Sequence, residues 1–196
     1  MQKLFFIAAL TLALPIIAQA QEPTRTEFFM GYSYMRLADT PATQDRDLNG
    51  YNVSAAITIF KKSLALKIDG SGHYGNVLVN ITPRTDQRQE LLLFGPQYSL
   101  KKIDRFRPFG HALFGISRLK IMNDATGAPN VSDTGFAFAV GGGVDLKTPL
   151  GGKVGVRLFQ ADFVRTKLDF LGNGNANNSN NYRISTGIVL RFGKLE

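Results

Sequence analysis

The sequence predicts an all-β fold: an eight-stranded antiparallel up-and-down transmembrane β-barrel. Three observations point to it. Eight stretches alternate large apolar residues with small, polar or charged ones at period two. Each stretch runs to about ten to thirteen residues, enough for the roughly 9–11 of a tilted strand crossing a bilayer and longer than the ~6 typical of a soluble sheet. The links between them alternate long and short, as a barrel with long loops at one end and tight turns at the other requires. Composition agrees. The chain has 20 Gly, 15 Phe and 6 Tyr in 196 residues, with only 19% charged, a balance that favours strands and excludes a disordered chain. A soluble lipocalin-like barrel is the competing architecture, and it would need the large apolar set inside.

The first twenty residues read as an address. Lys3 precedes an apolar run from Leu4 to Ala18, and Ala18-Gln19-Ala20 forms a small-x-small cleavage site. Residues 1–20 are therefore expected to be a cleaved signal peptide, and 21–196 an outer-membrane β-barrel domain. The mature barrel follows in order. Thr26 to Leu37 sets Phe28, Met30, Tyr32 and Tyr34 against Glu27, Phe29, Gly31 and Ser33. Gly50 to Phe60 sets Tyr51, Val53, Ala55, Ile57 and Ile59 against Asn52, Ser54, Ala56 and Thr58. Ser63 to Tyr74 sets Leu64, Leu66 and Ile68 against Ala65, Lys67 and Asp69. Arg88 to Leu100 sets Leu92, Phe94, Pro96 and Tyr98 against Leu91, Leu93, Gly95 and Gln97. Pro108 to Lys120 is irregular, and its facing stays open. Gly135 to Leu146 sets Phe136, Phe138, Val140 and Val144 against Ala137, Ala139, Gly141, Gly143 and Asp145. Lys153 to Thr166 begins with Val154, Val156 and Leu158 against Gly155, Arg157 and Phe159. Asn181 to Phe192 sets Tyr182, Ile184, Ile188, Leu190 and Phe192 against Arg183, Ser185, Gly187 and Arg191.

The links sort by charge. Residues 38–49, 75–87, 121–134 and 167–180 are long and neutral or acidic; 61–63, 101–107 and 147–152 are shorter and basic. The long links are expected outside the cell and the basic turns in the periplasm, beside anionic headgroups. The Asn-rich 171–182 reads as a mobile outer loop. Aromatics near the strand ends suggest two interfacial belts, Phe28, Phe60, Tyr98, Phe109 and Phe192 on the periplasmic side and Tyr34, Tyr51, Tyr74, Phe163 and Tyr182 on the outer side.

The last strand ends Ser185-Thr186-Gly187-Ile188-Val189-Leu190-Arg191-Phe192. This resembles the C-terminal assembly signal of bacterial outer-membrane proteins through Ser185, Gly187, Leu190 and Phe192, although four residues follow the aromatic. With Gly95-Pro96-Gln97-Tyr98-Ser99 and Arg107 to Gly115, the mature chain resembles the small porin-like outer-membrane barrels related to the OmpA transmembrane domain. That resemblance implies an eight-stranded barrel inserted in the outer membrane, with no single shared activity.

No cofactor is expected. Cysteine is absent and only two His occur, which removes thiolate chemistry and any site of three imidazoles. Asp45, Asp47 and Asp69 lack the spacing of a calcium loop. Gly141-Gly142-Gly143 has no following helix, so it reads as wall curvature and not as a phosphate loop. Export argues against a nucleic-acid partner for the +8 charge, and none is expected. His73, near Ser71 and Asp69, and His111 raise a lipid A-modifying activity as a minor alternative, but no enzyme is expected. Parity places Glu27, Asp145, Arg157 and Arg191 in the periplasmic half of the lumen. Paired as Asp145–Arg157 and Arg191–Glu27, they would close it, as a structural network or as a gate. The expected function is a structural or surface-interaction role for a monomer, with outer-membrane lipids and the barrel assembly machinery as partners. The alternative is a small passive or gated porin for water, ions or small solutes.

Overall fold

A computed structural model describes residues 25–38, 46–60, 63–77, 85–100, 103–123, 129–148, 153–168 and 177–193. The first twenty residues, and with them the expected signal peptide, lie outside the described set. Eight antiparallel strands form one closed barrel in sequential order: β1 (Thr26–Ala38), β2 (Arg46–Phe60), β3 (Leu64–Val77), β4 (Thr85–Ser99), β5 (Phe106–Asn123), β6 (Pro129–Lys147), β7 (Val154–Leu168) and β8 (Asn177–Phe192). β1 closes directly against β8, pairing Thr26 with Phe192 and Ala38 with Asn180.

The register fixes the geometry. Partner positions followed once around the wall run from Phe28 through Ala55, Ile68, Phe94, Phe114, Phe138, Arg165 and Asn180 to Ala38. The path returns to β1 displaced by 38 − 28 = 10 residues. With eight strands about 4.8 Å apart, that stagger tilts the strands by about 40° and leaves roughly 8 Å from axis to backbone. Side chains from opposite walls therefore meet at the axis.

The exterior is apolar. On β5 the outward residues from Phe106 to Ile116 are apolar or glycine, and the tilted rise over these ten steps is about 25 Å, the height of a lipid-facing band. Phe28, Phe60, Tyr98 and Phe192 are exposed at the end carrying the short links (the turn end), and Tyr51, Tyr74 and Tyr182 toward the other (the loop end). Phe28 packs edge-on against Phe192, closing the seam between first and last strands. Gly193, at φ 99°, ends β8.

Five expectations are corrected. The strands have 13 to 19 residues because they continue past the apolar band at the loop end. The outward residues there become polar, so the exterior alternation stops while the backbone ladder does not. Asn177–Asn181 consequently belongs to β8 and not to a loop, while 171–176 lie outside the described residues. Phe109 leaves the aromatic belt: it points into the lumen, 6% exposed. Its partner position on β6 is Gly143, where a Cβ would sit 2.9 Å from Phe109 Cζ, so the missing side chain makes room for the ring. Phe159 faces outward, because Leu158 and Phe159 form a β-bulge: Val144 pairs with Phe159, but Asp145 pairs with Arg157. Both bulge residues are exposed, and beyond them the facing of β7 is reversed, so that Gln160 and Asp162 point inward. Finally, Arg107 is not a turn residue. It begins the lumen face of β5.

Candidate functional site: the filled lumen

The alternation that places large residues outside leaves charged ones inside. Buried lumen side chains include five cations, Lys67, Arg107, Arg157, Arg183 and Arg191, and four carboxylates, Glu27, Asp69, Asp145 and Asp162. An isolated charge in such a site costs several kcal/mol, so geometry must supply partners, and it does so in two layers.

The layer nearest the turn end contains all four sequence-predicted network residues. Glu27 and Arg191 are partner positions across the β1–β8 seam, and Asp145 and Arg157 across β6–β7. Arg157 donates from Nε to Asp145 Oδ1 at 2.8 Å, and Arg191 from Nε to Glu27 Oε1 at 3.4 Å. The shorter bond of Arg191 crosses between the expected pairs, from Nη2 to Asp145 Oδ2 at 2.7 Å. Two further arginines join. Arg107 reaches across the barrel to Glu27 Oε1 at 3.0 Å, and Arg25, at the mouth, lies 2.6 Å from the same oxygen. The Arg157 guanidinium lies between two rings, 4.3 Å from the centroid of Phe29 and 4.2 Å from that of Phe109. Each inward phenyl thus covers the face of a cation whose edge is occupied by carboxylate.

The second layer lies deeper and centres on Arg183, which is fully buried. It donates to Asp162 Oδ2 from Nε at 2.9 Å and from Nη2 at 2.7 Å, and from Nη1 to Asp69 Oδ1 at 2.8 Å and Ser71 Oγ at 3.0 Å. His111 Nε2 donates to Asp162 Oδ1 at 2.9 Å. Lys67 Nζ lies 3.3 Å from Asp69 Oδ2, and Asn52 Nδ2 donates to Asp69 Oδ1 at 2.8 Å. Gln160 joins the layers, accepting from Arg157 at 2.7 Å and Lys67 at 3.4 Å and donating to Asp162 at 2.8 Å. Toward the loop end the filling mixes an apolar cluster of Met35, Leu37, Leu48, Leu91, Leu93, Leu113, Ala137, Ala139 and Val164, none more than 6% exposed, with buried polar side chains that include Gln87, Gln89, Ser117, Thr166 and Asn181.

The four residues placed in the lumen by parity meet in the first layer, and Arg107 and Arg25 were not among them. Parity missed the second as a unit, although Lys67 and Asp69 were already on the lumen side of β3 and Arg183 on that of β8. Ser33 Oγ lies 2.9 Å from His73 Nε2 and from Ser185 Oγ. This trio is sealed inside the barrel, and His73 Nδ1 has no carboxylate to orient it among the described residues. Of the expected assembly-signal residues, Ser185 and Gly187 face the lumen side of β8, and Leu190 and Phe192 the exterior. A Cβ at Gly141 would collide with Ala161 O and Asp162 Oδ1, so the glycine run permits close approach of β6 to its neighbours. Among the described residues no group of His and carboxylates is arranged to hold a metal ion.

No protein-family model matches the chain, and no curated protein matches it. Solved structures do. Neisserial surface protein A (NspA) superposes with a TM-score of 0.64 at 15% identity, covering 85% of this chain and 97% of that one. Ail, the attachment invasion locus protein of Yersinia pestis, gives 0.58 at 15% identity, covering 88% and 100%. The outer membrane protein OprG of Pseudomonas aeruginosa gives 0.51 at 11% identity, covering 88% and 98%. The chain shares the eight-stranded barrel fold of these proteins.

Proposed function

We propose that this chain is an integral outer-membrane protein that acts through its external surface, with a lumen that is closed structural filling. The turn end, where β1 begins and β8 ends, faces the periplasm, and the loop end faces the medium. The observation that carries this reading is the lumen itself. Two ion-paired layers, an apolar cluster that begins beside the second of them, and buried polar side chains toward the loop end fill a barrel only about 8 Å in radius. A diffusion path would have to break several buried ion pairs and displace the leucines of that cluster. The lipid A-modifying alternative finds no support, since Ser33 and His73 lie where an acyl chain has no entry. Two similar proteins carry surface roles in their names, a surface protein and an attachment protein, which fits action from the exposed end. The barrel needs no second copy to cover an edge, so a monomer among outer-membrane lipids, inserted by the barrel assembly machinery, is sufficient.

Fractionation and liposome swelling test this together. The mature protein should enter the sarkosyl-insoluble fraction, migrate differently with and without heating, and leave liposome permeability to small sugars at the protein-free level. Release by osmotic shock alone would refute the location, and sugar-dependent swelling would refute the closed lumen.

A further inference from the structure

The outer wall changes character where its apolar band ends, and it does so unevenly. On the half built from β4 to β7, the first polar outward positions above Leu92, Ile116 and Phe163 are Glu90, Arg118 and Arg165, followed one step higher by Arg88, Lys120 and Lys167. That is five cations against one carboxylate, on strands spanning about 15 Å of wall. Arg88 is already engaged, paired with Glu90 at 2.6 Å and lying over the Tyr74 ring. Arg118, Lys120, Arg165 and Lys167 have no carboxylate partner among the described residues, and none is buried. The other half of the wall differs. Above Tyr51 and Tyr182 stand Asn49 and Asn180, and the one cation there among the described residues, Arg36 above Tyr34, is the partner position of Asp47, to which the Tyr34 phenol also donates.

We propose that Arg118, Lys120, Arg165 and Lys167 form a lateral site for the phosphates of a glycolipid headgroup in the outer leaflet. This rests on the outer-membrane reading above. Three features select an amphiphile over a soluble polyanion. The cations lie on the side of the barrel, not at its tip. They sit directly above Ile116, Phe136 and Phe163, so a ligand held by them also lies along apolar wall. The β6 positions between the two cationic strands are Thr134 and Ser132, short hydroxyl side chains that leave room for a sugar and can bond to it. Guanidinium groups suit a phosphate bidentately and the two lysines act as point charges. Tilt brings the site together: Phe138 on β6 pairs with Arg165, and Thr134 with Arg118, so β7 rises relative to β5 and Lys167 comes to about the height of Arg118.

The test uses the refolded mature chain in detergent, checked for heat-modifiable migration and titrated with diphosphoryl lipid A under native mass spectrometry. Wild type should retain this lipid in preference to phosphatidylcholine. At about fivefold per surface cation, the variant R118Q/K120Q/R165Q/K167Q should lose about a hundredfold or more in affinity while folding normally. R105Q/K153Q, at the opposite end, should bind as wild type does. Lipid binding unchanged in the quadruple variant would overturn the proposal. So would tight binding of sucrose octasulfate to wild type without retention of lipid A, which would assign the cations to a soluble sulfated sugar. If wild type itself showed no heat-modifiable folded form, the outer-membrane reading would fail first, and the two failures are thereby distinguished.

Discussion

Replacing Arg183 with Met isolates the charge from the volume. Methionine fills most of the same space but removes four hydrogen bonds, two to Asp162, one to Asp69 and one to Ser71. It leaves two buried carboxylates facing one ammonium, that of Lys67, 3.3 Å from Asp69. Breaking a buried pair by removing one partner costs about 3–5 kcal/mol, much of it the uncompensated charge that remains. The Arg183→Met barrel should be destabilised by that amount. Adding Asp162→Asn removes the excess negative charge and keeps an oxygen to accept from His111, so the double variant should recover at least about half of the loss. Urea unfolding in detergent, followed by gel migration of unheated samples and by circular dichroism, measures both, since the chain has no Trp to report by fluorescence. A loss below about 1 kcal/mol for Arg183→Met, or a double variant as unstable as the sum of the singles, would show that the second layer is not a coupled ionic unit.

Three further outcomes follow from the same geometry. Val140 faces outward at mid-wall, 45% exposed, and Val140→Arg should cost about 2–4 kcal/mol on insertion into phosphatidylcholine vesicles; wild-type stability would refute the facing of β6. Gly141→Val should abolish the folded gel species by collision with Ala161 O and Asp162, and a heat-modifiable product would contradict the close approach of β6 and β7. The mature protein should begin at Gln21, and an intact mass that retains residues 1–20 would remove the signal-peptide reading.

Strand facing was legible wherever exterior size alternated without interruption. On β3, β6 and β8 the large residue points out and the small or polar one in, because a narrow barrel has lipid on one side and little room on the other; on β1, β2 and β4 the outward set is still large and apolar, but Phe29, Met35, Leu37, Leu48, Leu91 and Leu93 fill the lumen from the inward positions. Two strands break that rule for identifiable reasons. On β5 the inward residues include Phe109 and Leu113 and the outward ones Gly110 and Ala112, because the glycines of β6 give the interior room and the size rule reverses. On β7 the bulge at Leu158–Phe159 inserts one extra residue and turns two successive apolar side chains outward, a pair that reads in the sequence as continued alternation. It shifts Asp162 from the expected lipid side to the lumen, which is why the Arg183 layer could not be assembled from parity alone. Arg107 was lost to the same local ambiguity: a charged residue before Pro108 reads as turn, yet Cα pairing with Asp145 sets it in the wall.

The closed lumen is tested most directly by single-channel recording of the refolded mature protein in planar bilayers at neutral pH and high salt. The account predicts insertion without resolvable conductance steps, because the ion-paired layers and the Leu91–Leu93–Leu113 cluster together fill the interior. Reproducible open steps in the wild-type protein, scaling with salt concentration, would contradict it.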